Sequence, residues 1–143
     1  MNRNAVAIAL IILAGAGCGK PGEVSFDVKD SSGKTAHVNA GAMGTVALPA
    51  NFPKDVPSPK DSTVLTSVAQ GKDIMVSFRA KGTVPDEVAF YQERLKAEGW
   101  SLKPPIDMNG SSALEAETGA RKCVVMITSG GGETFVQVHA SLE

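Results

Sequence analysis

One segment, Thr83 to Gly99, repeats its apolar residues with the period of a helix, and segments alternating with period two lie on both sides of it. Val84, Val88, Tyr91 and Leu95 form the helical stripe, and Phe90 widens it. Thr83 offers a cap with Asp86 three residues on, Pro85 suits the first turn, and Gly99 supplies the stop. Before the helix, Ile74, Val76, Phe78 and Ala80 alternate with Met75, Ser77, Arg79 and Lys81, the pattern of a half-buried strand. Ser62 to Ala69 is β-branched and reads as its neighbour, joined through Gln70-Gly71-Lys72-Asp73.

After the helix, Trp100 to Lys103 leads into Pro104-Pro105 and a loop holding Asn109-Gly110. Ser112–Thr118, Arg121–Ser129 and Thr134–Leu142 are expected as strands. Pairing Thr128 with Glu133 sets Val125 opposite Val136, Cys123 opposite Val138 and His139 opposite Lys122. Cys123, Val125, Ile127, Val136 and Val138 then make a core face toward the helix. The opposite face carries Val124, Met126, Phe135, Gln137 and His139. It is half apolar, more than a solvated sheet face usually is. We expect either the N-terminal hairpin or a partner to cover it, which makes Val124, Met126 and Phe135 candidate partner-binding residues.

The expected fold is α+β: one antiparallel sheet of ββαβββ type packed on a single helix, preceded by a β-hairpin. Residues 23–47 form the hairpin segment, where Val24, Phe26 and Val28 alternate with polar neighbours and Asp30-Ser31-Ser32-Gly33 turns the chain. Residues 48–61 form a proline-rich loop that cannot pair fully in a sheet, and 62–143 form the α+β domain. Because proline presets an extended backbone, the loop is a second binding candidate through Phe52 and Val56, although it reads first as a rigid connection between the hairpin and the main domain.

The first residues belong to none of this. Arg3 precedes an apolar run from Ala5 to about Gly17, too short for the ~20 residues of a membrane-spanning helix. It suits a signal peptide over residues 1–17. Gly15 to Lys20 is glycine-rich and ends in Gly-Lys, but Ala14 stands where a phosphate loop needs glycine, and Pro21 follows the lysine. Ala16-Gly17-Cys18 instead resembles the end of a bacterial lipoprotein signal, departing from it at Gly15. The resemblance implies acylation of Cys18, a tether over residues 18–22 and residence in the bacterial cell envelope. Gly19, in place of a retaining aspartate, implies the outer membrane facing the periplasm. Several acyl chains would hold the protein stably, where one chain binds only marginally.

Leu48-Pro-Ala-Asn-Phe-Pro-Lys-Asp-Val-Pro57, a later Val76-Ser-Phe78, then Phe90-Tyr91, Leu95 and Gly99-Trp100 resemble small bacterial lipoproteins that share an FPxDVP loop and an FYxxxLxxxGW helix end. The resemblance spans about residues 23–143. Its motifs are structural and imply no activity.

Little else in the chain suggests chemistry. Lys+Arg number 14 against 15 Asp+Glu, without the basic surplus that nucleic-acid binding requires. His37 and His139 are the only histidines, and no nucleophile elbow or metal-ligand spacing is present. Cys123 reads as a buried thiol, Glu115 and Glu117 as a solvated strand face, and Asn109-Gly110-Ser111 as a turn. Tyr91 and Trp100 read as core aromatics before ligand-stacking ones. We therefore expect a non-enzymatic, lipid-anchored envelope protein with no cofactor beyond the lipid on Cys18, presenting a periplasmic binding or assembly domain. The alternative is a periplasmic carrier holding a small apolar ligand between helix and sheet.

Overall fold

The computed structural model describes residues 23–41 and 46–141. The expected signal peptide, Cys18 and the expected tether lie outside the described residues. The elements in chain order are β1 (Glu23–Lys29), β2 (Thr35–Gly41), β3 (Thr63–Gln70), β4 (Asp73–Ala80), α1 (Val84–Ala97), β5 (Ser101–Leu102), β6 (Ile106–Met108), β7 (Ser111–Thr118), β8 (Arg121–Gly130) and β9 (Glu133–Ser141). The fold is α+β: among the described residues, one open, nine-stranded antiparallel sheet in the order β1-β2-β3-β4-β9-β8-β7-β5, with β6 also on β7, and a single helix.

The helix begins and ends as its sequence dictates. Thr83 accepts a hydrogen bond from the Asp86 N–H, and the Asp86 carboxylate accepts one from the Thr83 N–H at 3.0 Å, which closes a capping box. Gly99 takes φ +86°, where a side chain would be strained, and ends the last turn. Tyr91 and Leu95 are wholly buried against the sheet, beside Trp100, Leu114, Cys123 and Val125. Ile74, Val76, Phe78, Val136 and Val138 carry the same core across β4 and β9.

In β3 the register shifts between Val64 and Thr66, so Leu65 is an extra residue. The bulge lets Val64 pack on the core while Ser67 still pairs beside Val76.

Two expectations need correction. The β8–β9 turn is shorter than expected: Gly130 pairs with Glu133, leaving only Gly131 and Gly132 between, at φ +61° and +82°. Two consecutive positive φ values make the tight turn that matches the twist of a hairpin, and two glycines adopt it without strain. The register therefore moves by two residues: Val125 faces Val138, Cys123 faces Ala140, and His139 faces Val124 rather than Lys122. An even shift keeps every side chain on its expected face.

The second correction concerns the N-terminal hairpin. It does not fold over Val124, Met126 and Phe135. β2 pairs with β3, with His37 opposite Ala69 and Val38 opposite Val68, so the hairpin extends the same sheet sideways. Met126 and Phe135 stay 43% and 37% exposed, and Val124 is half-buried. Short β5 and β6, on either side of Pro104-Pro105, also lie within what was expected as leading residues and a loop.

Candidate functional site

The proline-rich loop is fastened down. Val56 is 3% exposed and part of the core, which withdraws it from any partner, and half-buried Phe52 packs against that core. Their apolar side chains gain more by completing the core than an extended loop would by leaving them in water. Trp100 donates its indole N–H to the Asp55 carbonyl at 3.1 Å, and Arg121 stacks on the Trp100 ring at 5.0 Å while bonding the Asp55 carboxylate. The loop and helix-end motifs, 45 residues apart in sequence, thus form one structural joint.

Space opens beside the helix. A cleft of about 500 Å³ opens between the N-terminal half of α1 and the β6–β7 turn. Val84, Val88 and Ala89 give it an apolar wall, Met108 lies across from them, and Gln92, Asp107 and Ser111 supply polar atoms. Asp107 already accepts a hydrogen bond from Ser112 Oγ at 2.7 Å. The turn is fixed from below, since Ser129 donates its N–H to the Gly110 carbonyl at 3.1 Å. Its volume lies within the roughly 300–1,000 Å³ of small-molecule sites.

A second cleft of about 290 Å³ lies under Leu48, Pro49 and Asn51, above β2 and β3. Its floor is polar. Ser25 donates to Asn39 at 2.6 Å, Asn39 donates to Ser67 at 3.4 Å, and His37 meets Asp27 at 2.6 Å.

The remaining candidate groups have ordinary partners. Lys103 bridges Glu115 at 2.8 Å and Glu117 at 3.3 Å on the exposed face, which holds the Glu115 carboxyl below its usual range. Cys123 is buried, and burial pushes its thiol up to about 12. Glu87 lies 6% exposed under the helix start, its carboxyl raised chiefly by loss of water. One of its oxygens and the Tyr91 hydroxyl have no hydrogen-bond partner among the described residues. No sequence signal marked Glu87, because an acid in a first helical turn usually faces solvent near the dipole. Among the described residues no three His, Cys, Asp or Glu gather closely enough to hold a metal ion. No described helix is long and apolar enough to cross a membrane.

A START domain-like family profile matches residues 62–134, and the chain belongs to that family. The matched segment holds β3 through β8, the start of β9, α1 and every residue of the larger cleft. Most of the smaller cleft falls outside it. No curated protein and no solved structure matches the chain.

Proposed function

We propose that this protein is a non-enzymatic binding module, held in the bacterial envelope by acylation of Cys18, that takes a small apolar ligand with one polar end. The observation that carries the ligand reading is the cleft beside α1. It has an apolar wall on α1 with Gln92 on the same helix and Asp107 and Ser111 across from it, and it lies wholly within the START domain-like segment. Tyr91 and Leu95 fill the space under the centre of the helix, so the ligand lies along its N-terminal flank. Val84, Val88 and Met108 would hold the apolar body, with Gln92, Asp107 and Ser111 placed for the polar end.

Fluorescence titration with an anilinonaphthalene sulfonate tests the cleft. Ala89 is exposed and lines it, so Ala89→Arg should weaken probe binding about tenfold or more while leaving the melting temperature unchanged. Equal binding by both proteins refutes the site. Mass spectrometry of the mature N-terminus tests the anchor, where an unmodified Cys18 or cleavage elsewhere ends that part of the reading.

A protein-docking role is the second reading, favoured by the exposure of Met126 and Phe135 on the face away from α1. Crosslinking in intact envelopes should then capture a partner that Met126→Lys releases.

A further inference from the structure

The two edges of the sheet are built differently. At the β7 side the outer strands are β5, two residues long, and β6, three residues long, and Pro104-Pro105 separates them. Short strands and prolines are common devices against unwanted pairing. The β1 edge has neither. It runs seven residues without proline, paired to β2 in unbroken register from Glu23 opposite Gly41 to Lys29 opposite Thr35. Among the described residues nothing pairs with its outer side. Val24, Phe26 and Val28 stand 61%, 45% and 43% exposed along it. A long, regular, apolar edge offers a row of unpaired backbone groups to another strand.

The strand's own sequence identifies the occupant. In Glu23-Val-Ser-Phe-Asp-Val-Lys29, an antiparallel copy centred on Phe26 sets acidic position 23 opposite basic position 29, and does so twice. Val24 then falls opposite Val28 on both sides, and Phe26 opposite Phe26. Nearby registers lose this. Centring on Ser25 sets Glu23 opposite Asp27, and centring on Asp27 sets that residue against its own copy. Like charges directly opposite destabilise a strand pair, and opposite charges support it.

We infer that β1 is a homodimer interface, pairing antiparallel with β1 of a second copy about a two-fold axis at Phe26. The contact is isologous, so it closes at two copies and joins both sheets into one.

Sedimentation velocity across the micromolar range tests this, using the full chain with Cys18→Ser so that no acyl group contributes to association. A reversible dimer is expected. Glu23→Lys and Lys29→Glu should each weaken it about tenfold, because each turns two attractive pairs into two repulsive ones. Mixing the two variants should restore association, since every 23–29 pair between unlike chains is again opposite in charge. Within one chain these positions face uncharged Gly41 and Thr35, and β1 contributes nothing to the core, so at concentrations where all are monomeric the variants should keep the parent's melting temperature. A monomer at every concentration overturns the proposal. So does a dimer indifferent to the single changes, which would use another face, or a mixture that fails to recover.

Discussion

Arg121 grips Asp55 through two hydrogen bonds of 2.8 and 3.0 Å across 66 residues of sequence, tying the proline-rich loop to the start of β8. The pair is mostly shielded, with 16% of the Arg121 side chain and 31% of the Asp55 side chain exposed. Two parallel bonds in such a setting do more than an open surface ion pair.

The Asp55 carboxyl lies below its usual range, first because Arg121 donates to it. An acid whose folded pKa is depressed adds stability above the unfolded value, about 3.9, and loses it as pH falls through the folded one. Arg121→Ala should therefore cost about 1–2 kcal/mol at neutral pH, allowing for partial exposure, and much less in strong acid. Urea unfolding of both proteins at the two conditions measures this. An equal loss in acid would mean that the stacking on Trp100 carries the effect.

Glu87 works in the opposite direction. Its carboxyl is raised by burial, so folding binds its proton more tightly and stability falls as pH climbs from about 4.3 through the folded value. Glu87→Gln removes the buried charge and should raise stability by about 1 kcal/mol at neutral pH, with the gain fading in acid. Melting temperatures across the acid-to-neutral range give the comparison. A gain independent of pH would disprove the charge explanation.

Thr83→Ala should cost about 1 kcal/mol, because it leaves a first-turn N–H without its side-chain acceptor. The same change removes the hydroxyl that donates to the Asp86 carboxylate at 2.6 Å. Thr83→Ser keeps both bonds and should stay within a few tenths of the parent. Denaturation monitored by the helical circular-dichroism signal distinguishes the pair.

Cys123 should resist alkylation in the folded protein, since its thiol is buried and pushed up to about 12. Peptide mapping after iodoacetamide, with and without denaturant, separates Cys123 from any label on Cys18. Rapid labelling under native conditions would show that β8 opens locally.

The sequence made the helix legible because Thr83, Pro85, Asp86 and Gly99 each act within a few residues of where they stand. The faces of β8 and β9 were legible for a similar reason: alternation survives an even error in register. The register itself was not, because four candidate turn residues, Ser129 to Gly132, leave open which two take positive φ. The place of the N-terminal hairpin was hidden too. Whether Val38 meets Val68 depends on partners thirty residues away, and no local pattern records that. The larger cleft arises from α1 and the β6–β7 turn meeting in space, so its residues carried no shared motif. The proline-rich loop was readable as a rigid connection or as an exposed ligand, and what decides Val56 is the inward pull of Trp100 and Arg121 on Asp55, which no local pattern records.

The strand order has a consequence for reach. β1 follows residue 18 closely in the chain, while α1 packs near the opposite edge, on β5, β7 and β8. Seven strand-to-strand steps separate β1 from β5, a span of about 34 Å at the usual spacing. With Cys18 in a bilayer, the sheet becomes a stiff spacer that can carry the mouth of the cleft out past the lipid headgroups. Lengthening the residues before Glu23 would then change how freely the molecule swings, while the sheet alone sets the distance between the β1 edge and the cleft.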